Sequence, residues 1–426
     1  MILHKVLYSL ALGAYTSAIR VAALVNPKAA LFTSGRKDII SKLKLAFANE
    51  KRQTIWMHCA SLGEFEQGRP VLEALRARYP HLAVLVTFFS PSGYEVRKDY
   101  TGADYVFYLP VDTAGNAKDF IDTVRPALCI FVKYDLWYHY LSALHHRKIP
   151  ALLISAIFQQ RQGFFKWYGG LQRAMLSFFT HIFVQDTASK GLLAAIRITR
   201  VSVSGDTRFD RVIAATEQRH AGLPIAEKFC SSHRILVAGS TWKEDEQLLH
   251  KVLPQLPATW RIVLVPHEID DSHLEQIERL FPGDIIRWSR AADTGNDDNK
   301  RILLVDRVGI LSALYSYADV AWIGGGFGKE GVHNVLEAAV YGIPCLYGPI
   351  FHQFIEAGEL IACGGAFAIQ NADDLVNSLK EMEDKHRYER HATAAKDYVY
   401  SKQGATQVVT GYVHDSILKD GKGFSA

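Results

Sequence analysis

Glu64 follows the run Ile55-Trp-Met-His-Cys-Ala-Ser-Leu-Gly, three residues after Ser61, where an apolar stretch gives way to a helical pattern. A carboxylate in the first turn of a helix is favoured in its ionised form and can accept a proton from a hydroxyl. The same spacing also fits a capping box, in which Glu64 would only bind a backbone N–H. Spacing alone leaves both readings open. A second candidate is the glycine-rich run from Ala321 to Pro349, in which Gly326, Gly328 and Gly331 fit Gly-x-Gly-x-x-Gly. A nicotinamide site would also need an acid at the end of the next strand, and Leu346-Tyr-Gly-Pro349 has none. Glu337 stands instead inside a helix expected to begin near Val332, two turns in. From there it would reach a ribose diol while the helix amides hold a phosphate. This favours a nucleotide-sugar donor over a dinucleotide, against the alternative of a glycine turn that only packs helix on strand.

Ser240 and Thr241 follow the run Ile235–Ala238 and either cap a helix from Lys243 or donate to a phosphate. Pro266 and His267 follow Arg261–Val265, at a strand end, where α/β sheets bind ligands. Between Ala156 and Phe179, seven aromatic residues mix with Arg161, Lys166 and Arg173. That pattern suits a membrane interface or, equally, a core-packed helix with a basic outer face. No P-loop, His-Glu-x-x-His, EF-hand, Gly-x-Ser-x-Gly or acidic metal diad occurs, so neither metal nor other cofactor is expected.

These residues must be carried by elements. Nearly continuous Val/Ile/Leu runs, as in parallel strands buried on both faces, are expected at Ile55–Cys59, Ala83–Phe88, Tyr105–Tyr108, Leu128–Val132, Ala151–Ile154, His181–Val184 and Val201–Val203. A second series comprises Ile235–Ala238, Arg261–Val265, Asp284–Arg287, Ile302–Val305, Val320–Ile323 and Cys345–Tyr347. Amphipathic segments lie between them, so the alternation predicts βαβ units. The expected organisation is α/β: a segment 1–50, a Rossmann-like domain 51–212, a linker 213–232, a second Rossmann-like domain 233–426, and a cleft between the domains. Residues 293–300 read as a surface loop. At 426 residues the chain exceeds the ~250–300 at which one core stops growing. Dehydrogenases, binding proteins and GT-B glycosyltransferases all share such a plan, so fold alone does not choose.

The net charge of +4 is uneven: residues 1–52 hold nine Lys/Arg against two Asp/Glu, a net +7, so the remainder carries −3. A nucleic-acid groove across the body is therefore not expected. Residues 6–19 are apolar between Lys5 and Arg20, short of the ~20 residues that span a bilayer. The segment reads as a membrane-surface anchor, a spanning helix, a signal peptide or a helix packed on the body. The five cysteines form no Cys-x-x-Cys and argue against a disulfide framework.

Taken together these residues resemble the transferases that add 3-deoxy-D-manno-octulosonic acid (Kdo) to the lipid A precursor. The resemblance rests on Ser61-Leu-Gly-Glu64, Phe88 to Gly93, Tyr108-Leu-Pro-x-Asp112, Leu136-Trp137, Gly239-Ser-Thr241, Gly331-x-His-Asn-x-Leu-Glu337 and Gly342-x-Pro344. It implies a GT-B, inverting, metal-independent enzyme that takes CMP-Kdo and the lipid A precursor, lipid IVA, in lipopolysaccharide biosynthesis. It implies a site on the cytoplasmic face of a bacterial inner membrane, against its anionic leaflet. Glu64 becomes the general base, and Arg208 matches a family lysine that stabilises the transition state. CMP contacts carry over to Ser240, Thr241, Pro266, His267, Val308, Gly309, Ile310, Gly331, Asn334, Val335, Leu336 and Glu337. Lys133 stands where the family has glutamate, so either Asp135 takes over or Lys133 neutralises the departing phosphate or sugar carboxylate. His267 replaces an arginine and Ile310 a glutamate. Other readings are a GT-B enzyme for a different nucleotide sugar, a nicotinamide oxidoreductase, or a sugar-binding module without turnover.

Overall fold

The computed structural model describes residues 2–217, 222–294 and 299–418. Two compact units emerge: residues 1–211 together with 403 onward, and residues 212–402.

The first unit is built on a wholly parallel seven-stranded sheet. Its strands are β1 (Thr54–Cys59), β2 (Ala83–Phe88), β3 (Tyr105–Tyr108), β4 (Pro126–Val132), β5 (Ala151–Ala156), β6 (His181–Val184) and β7 (Val201–Val203), in the order β3-β2-β1-β4-β5-β6-β7. Every residue of β1, β2, β4 and β5 is buried, because helices cover both faces of the sheet. One face packs Trp56, Phe120, Phe131 and Tyr140, the other Ile55, Met57, Phe65 and Leu72. The order reverses between β1 and β4, the switch point at which such sheets open to a ligand.

The expected first segment forms three helices, α1 (Ile2–Ala22), α2 (Pro27–Gly35) and α3 (Ile39–Ala46), docked on this unit. Tyr8 donates its hydroxyl to Asp112 Oδ2 at 2.6 Å. Asp112, buried, also accepts the N–H groups of His139 and Tyr140, so the Tyr-Leu-Pro-x-Asp block is a structural clasp. Val6, Leu7, Leu10 and Val21 of α1 stay exposed. Among the described residues no helix is long and apolar enough to cross a membrane.

The second unit is also wholly parallel: β8 (Arg234–Thr241), β9 (Trp260–Pro266), β10 (Ile285–Arg287), β11 (Ile302–Leu304), β12 (Val320–Ile323), β13 (Cys345–Tyr347) and β14 (Ala366–Ala368), ordered β10-β11-β9-β8-β12-β13-β14. Trp260, Trp322, Leu264 and Leu346 anchor its core. The three-residue β14 has no counterpart in the sequence reading, since Ala-Phe-Ala after two glycines carries almost no periodic signal.

Two boundaries differ from expectation. The chain does not stay in the second unit to its end: the helix Ala405–Ser416 buries Val409 and Val413 against α4 (Leu62–Arg78) and the first sheet. Residues 213–217 lie inside the helix Thr207–Glu217 and 224–230 form another, so most of the expected linker is helical; residues 218–221 are outside the described residues. Of the expected loop 293–300, residues 295–298 are likewise outside them.

Candidate functional site

In the first unit the sequence-derived residues gather at the carboxyl edge of the sheet. β1 ends at Cys59, Ser61 takes the N-cap position of α4, and Glu64 falls in its first turn. The Ser61 hydroxyl makes no capping bond to the backbone; it donates to the Glu64 carboxylate. The capping-box reading therefore fails.

β4, next to β1, ends at Val132. Lys133 follows with a left-handed backbone (φ 62°), its N–H donating to the Ile154 carbonyl at 3.0 Å. That turn brings Asp135 Oδ2 to 2.6 Å from Nε2 of His58, a fully buried ring on β1. The other ring nitrogen lies 2.8 Å from the Thr87 hydroxyl, and the indole N–H of Trp137 is 3.2 Å from Nε2. His58 thus ties the Lys133 turn to the middle of the sheet. It was missed in the sequence because its partner lies 77 positions away. Arg208 arrives from β7: Thr207 donates to the Gln67 carbonyl of α4 at 2.5 Å and meets the Ser155 hydroxyl at 3.0 Å. The Arg208 guanidinium closes on Asp206, with Nε 2.8 Å and Nη2 2.7 Å from Oδ2.

In the second unit the residues again follow strand ends. The expected cap is displaced: Trp242, not Ser240 or Thr241, is the N-cap of the helix Lys243–Val252. Thr241 is buried and donates to Glu246, so it is not available to a phosphate. Ser240 adopts a left-handed φ of 53°. Asp245 accepts the N–H groups of Trp242 and Gly325 and the indole N–H of Trp322. Burial pushes its carboxyl up to about 6. It locks the glycine run onto this helix. Gly324 is required there, because a Cβ would lie 2.1 Å from the Ser240 carbonyl oxygen.

The helix expected from Val332 begins only at Leu336 and is one turn long, so Glu337 sits in its first turn. The physical reason is that the glycine run bonds to itself. Gly328, Gly331 and His333 donate to the carbonyls of Gly325, Gly328 and Gly324, and Val332 donates to Ile350. Those amides are spent, which removes the phosphate-cradling role expected of them. Asn334 donates from Nδ2 to Glu337 Oε1 at 2.9 Å and accepts the Leu336 N–H; Val335 and Leu336 are buried. Val308, Gly309 and Ile310 form the turn after β11, with Val308 exposed and Gly309 at φ 88°.

Pro266 ends β9, and the exposed His267 lies flat on two other rings, 4.7 Å from Trp242 and 4.4 Å from His333 between centroids. Trp242 and His333 are nearly coplanar, and the indole N–H donates to His333 Nε2 at 2.9 Å. Burial, then the nearby His267, lowers His333 to about 4, so it accepts this bond as a neutral ring. The result is a flat aromatic platform at the ends of β8 and β9, a surface suited to stacking a planar base. Trp242 and His333 were absent from the expected site.

The aromatic stretch divides. Phe158, Phe164 and Phe179 are buried in the first core, whereas Trp167 stands 92% exposed. Among the described residues no group of three His, Cys, Asp or Glu side chains is placed to hold a metal, and all five cysteines are free.

The family model described as 3-deoxy-D-manno-octulosonic-acid transferase (kdotransferase) matches residues 37–211. A 3-deoxy-D-manno-octulosonic acid transferase of Haemophilus influenzae is 27% identical over 369 residues, 83% of this chain and 85% of that protein. Its counterpart in Aquifex aeolicus is 28% identical over 335 residues, 77% of this chain and 85% of that one. Among solved structures, UDP-GlcNAc 2-epimerase of Neisseria meningitidis bound to UDP-GlcNAc superposes with a TM-score of 0.60 at 16% identity, covering 85% of this chain and 99% of its own. That likeness shows the two-domain α/β fold alone.

Proposed function

We propose that this chain, a member of the Kdo transferase family and a glycosyltransferase, moves Kdo from CMP-Kdo to a glucosamine hydroxyl of the lipid A precursor in lipopolysaccharide biosynthesis, by an inverting, metal-independent route. The observation that carries the assignment is the Ser61–Glu64 pair at the sheet's switch point. Glu64 stands in the first turn of a helix, and it takes the proton of the attacking hydroxyl. The oxygen forms its bond to the anomeric carbon of Kdo as the bond to the CMP phosphate breaks on the opposite face. Lys133 and Arg208 meet the negative charge that gathers on phosphate and sugar carboxylate. Asp135 is engaged by His58, which leaves Lys133 as the group that answers the family's glutamate.

On the donor side, His267 presents its open face to the cytosine, and Glu337, oriented by Asn334, reaches the ribose hydroxyls. Pro266, Ser240 and the turn Val308–Ile310 complete that wall. The chain works on the cytoplasmic face of the inner membrane. The +7 charge of residues 1–52 and the exposed apolar residues of α1 support attachment to an anionic leaflet. Substituting Glu64→Gln should lower kcat by about 10²-fold or more and leave CMP-Kdo affinity within about twofold. Product mass spectrometry with CMP-Kdo and the lipid precursor measures the first, calorimetry the second. Near-normal turnover in this variant would remove Glu64 from the mechanism.

A further inference from the structure

A cavity of about 710 Å³ opens in the first unit between α1, α2 and the segment that follows β3. Its walls include Ile19, Ala23, Phe32 and Val111, and Arg20 and Lys37 are exposed along it. Arg36, which also lines the cavity, is unusual. Its guanidinium donates to three main-chain carbonyls, those of Phe32, Phe89 and Leu109. Its carbon lies over the Phe32 ring, 3.7 Å from the centroid. Burial lowers its pKa to about 10, which still leaves it charged at neutral pH. No carboxylate forms an ion pair with Arg36, Arg20 or Lys37 among the described residues. Three cations therefore share the cavity with one carboxylate, Asp38. A largely buried cation without a counter-charge is costly, and the charge missing from this wall is an anion.

The remaining surface asks for something else. Four apolar side chains beside three cations match a ligand with a hydrocarbon part and an anionic group. The cavity also borders the reacting edge of the sheet. Arg36 holds the Phe89 carbonyl, while the Phe89 N–H donates to the carbonyl of Cys59, two positions before Ser61. Leu24 and Val25, just past Ala23, are 83% and 88% exposed, an apolar lip for the rest of an acylated molecule.

We propose that this cavity is the acceptor subsite for a phosphate and one acyl chain of the lipid precursor. The phosphate sits between Arg20 and Lys37, next to the charge of Arg36, and the acyl chain lies on Ile19, Ala23 and Phe32. This placement rests on the transfer reaction proposed above. The full chain carrying Arg20→Ala and Lys37→Ala, and separately Ala23→Trp, tests it in detergent. Both variants should raise KM for the lipid acceptor about tenfold, leave KM for CMP-Kdo within twofold, and spare kcat. Dodecyl phosphate should compete with the acceptor and not with CMP-Kdo, and should bind the double variant about tenfold more weakly. An unchanged acceptor KM overturns the proposal. So does a loss confined to binding of phosphatidylglycerol vesicles, which would make these cations a membrane contact. If the unaltered chain transfers no Kdo, the reaction and with it the named occupant fall. Dodecyl phosphate calorimetry would then report separately whether the cavity takes a phosphorylated chain.

Discussion

His333 accepts a hydrogen bond from Trp242 and lies beneath His267, and the hydrogen bond requires it neutral. Its pKa is lowered to about 4, so the unfolded chain binds a proton more readily than the folded one between about 6.5 and 4. Its contribution is complete above about 6.5 and is lost as pH falls toward 4. Asp245 acts in the opposite sense. Raised to about 6, it penalises the fold as pH climbs from about 4 to 6, so its burden eases where His333 fails. The informative quantity is a difference. His333→Phe keeps a ring in the stack but cannot accept from Trp242. Between pH 7.5 and 4.5 it should lose less stability than the unaltered chain, by on the order of 1–2 kcal/mol after allowing for partial exposure. Urea unfolding of both proteins at the two pH values measures this, and parallel losses would refute it. Glu64 was legible at this scale because a Ser-x-x-Glu pair at a strand-to-helix junction is local. Its real partner was not: spacing suits a cap and a side-chain pair equally, and only the rotamers separate them.

At the scale of elements, Thr207 joins three of them. Its hydroxyl donates to the Gln67 carbonyl on α4 and touches Ser155 at the end of β5, all buried. This hydroxyl sets where the helix Thr207–Glu217 starts, and hence where Arg208 stands. Thr207→Val keeps the shape and strands a buried carbonyl, which should cost about 1–3 kcal/mol in denaturant midpoint. It should also reduce kcat more than it changes KM for CMP-Kdo. Unchanged stability and rate would mean Thr207 does not position Arg208. Most strands were readable to within a residue or two, as at Ala83–Phe88 and Val320–Ile323, because strands buried on both faces show unbroken apolar runs. The glycine run misled. Gly-x-Gly-x-x-Gly announces a tight backbone, but whether its amides face a ligand or one another depends on the Asp245 and Ile350 contacts, which no local pattern encodes.

At the scale of the whole molecule, the chain leaves the first unit at Arg211 and returns at Gln403. Asp210 fastens the return, accepting the N–H groups of Gly404 and Thr406, each at 2.6 Å. The helix Ala405–Ser416 then buries Val409 and Val413 in the first core, and Ile417 just past it joins them. Ending the chain at Lys402 should therefore strip the first unit of about 1.5–3 kcal/mol for each of these side chains. Hydrogen exchange should speed up across β1–β7 and hold steady across β8–β14. Equal loss of protection in both sheets, or none, would contradict this division.

By itself the sequence determined that there are two parallel α/β units, where most strands run, which residues stand at their carboxyl ends, and which family the motifs resemble. Each of these follows from signals within a few residues: apolar runs, glycine turns, an acid one helical turn after a serine. Tertiary structure alone decided which strand ends are neighbours and which distant side chains meet there. His58 reaches Asp135, Trp242 reaches His333, and Arg36 reaches the carbonyls of Phe89 and Leu109. Strand order, set by the crossovers, governs those meetings, and a crossover brings together residues whose separation along the chain carries no trace of their contact.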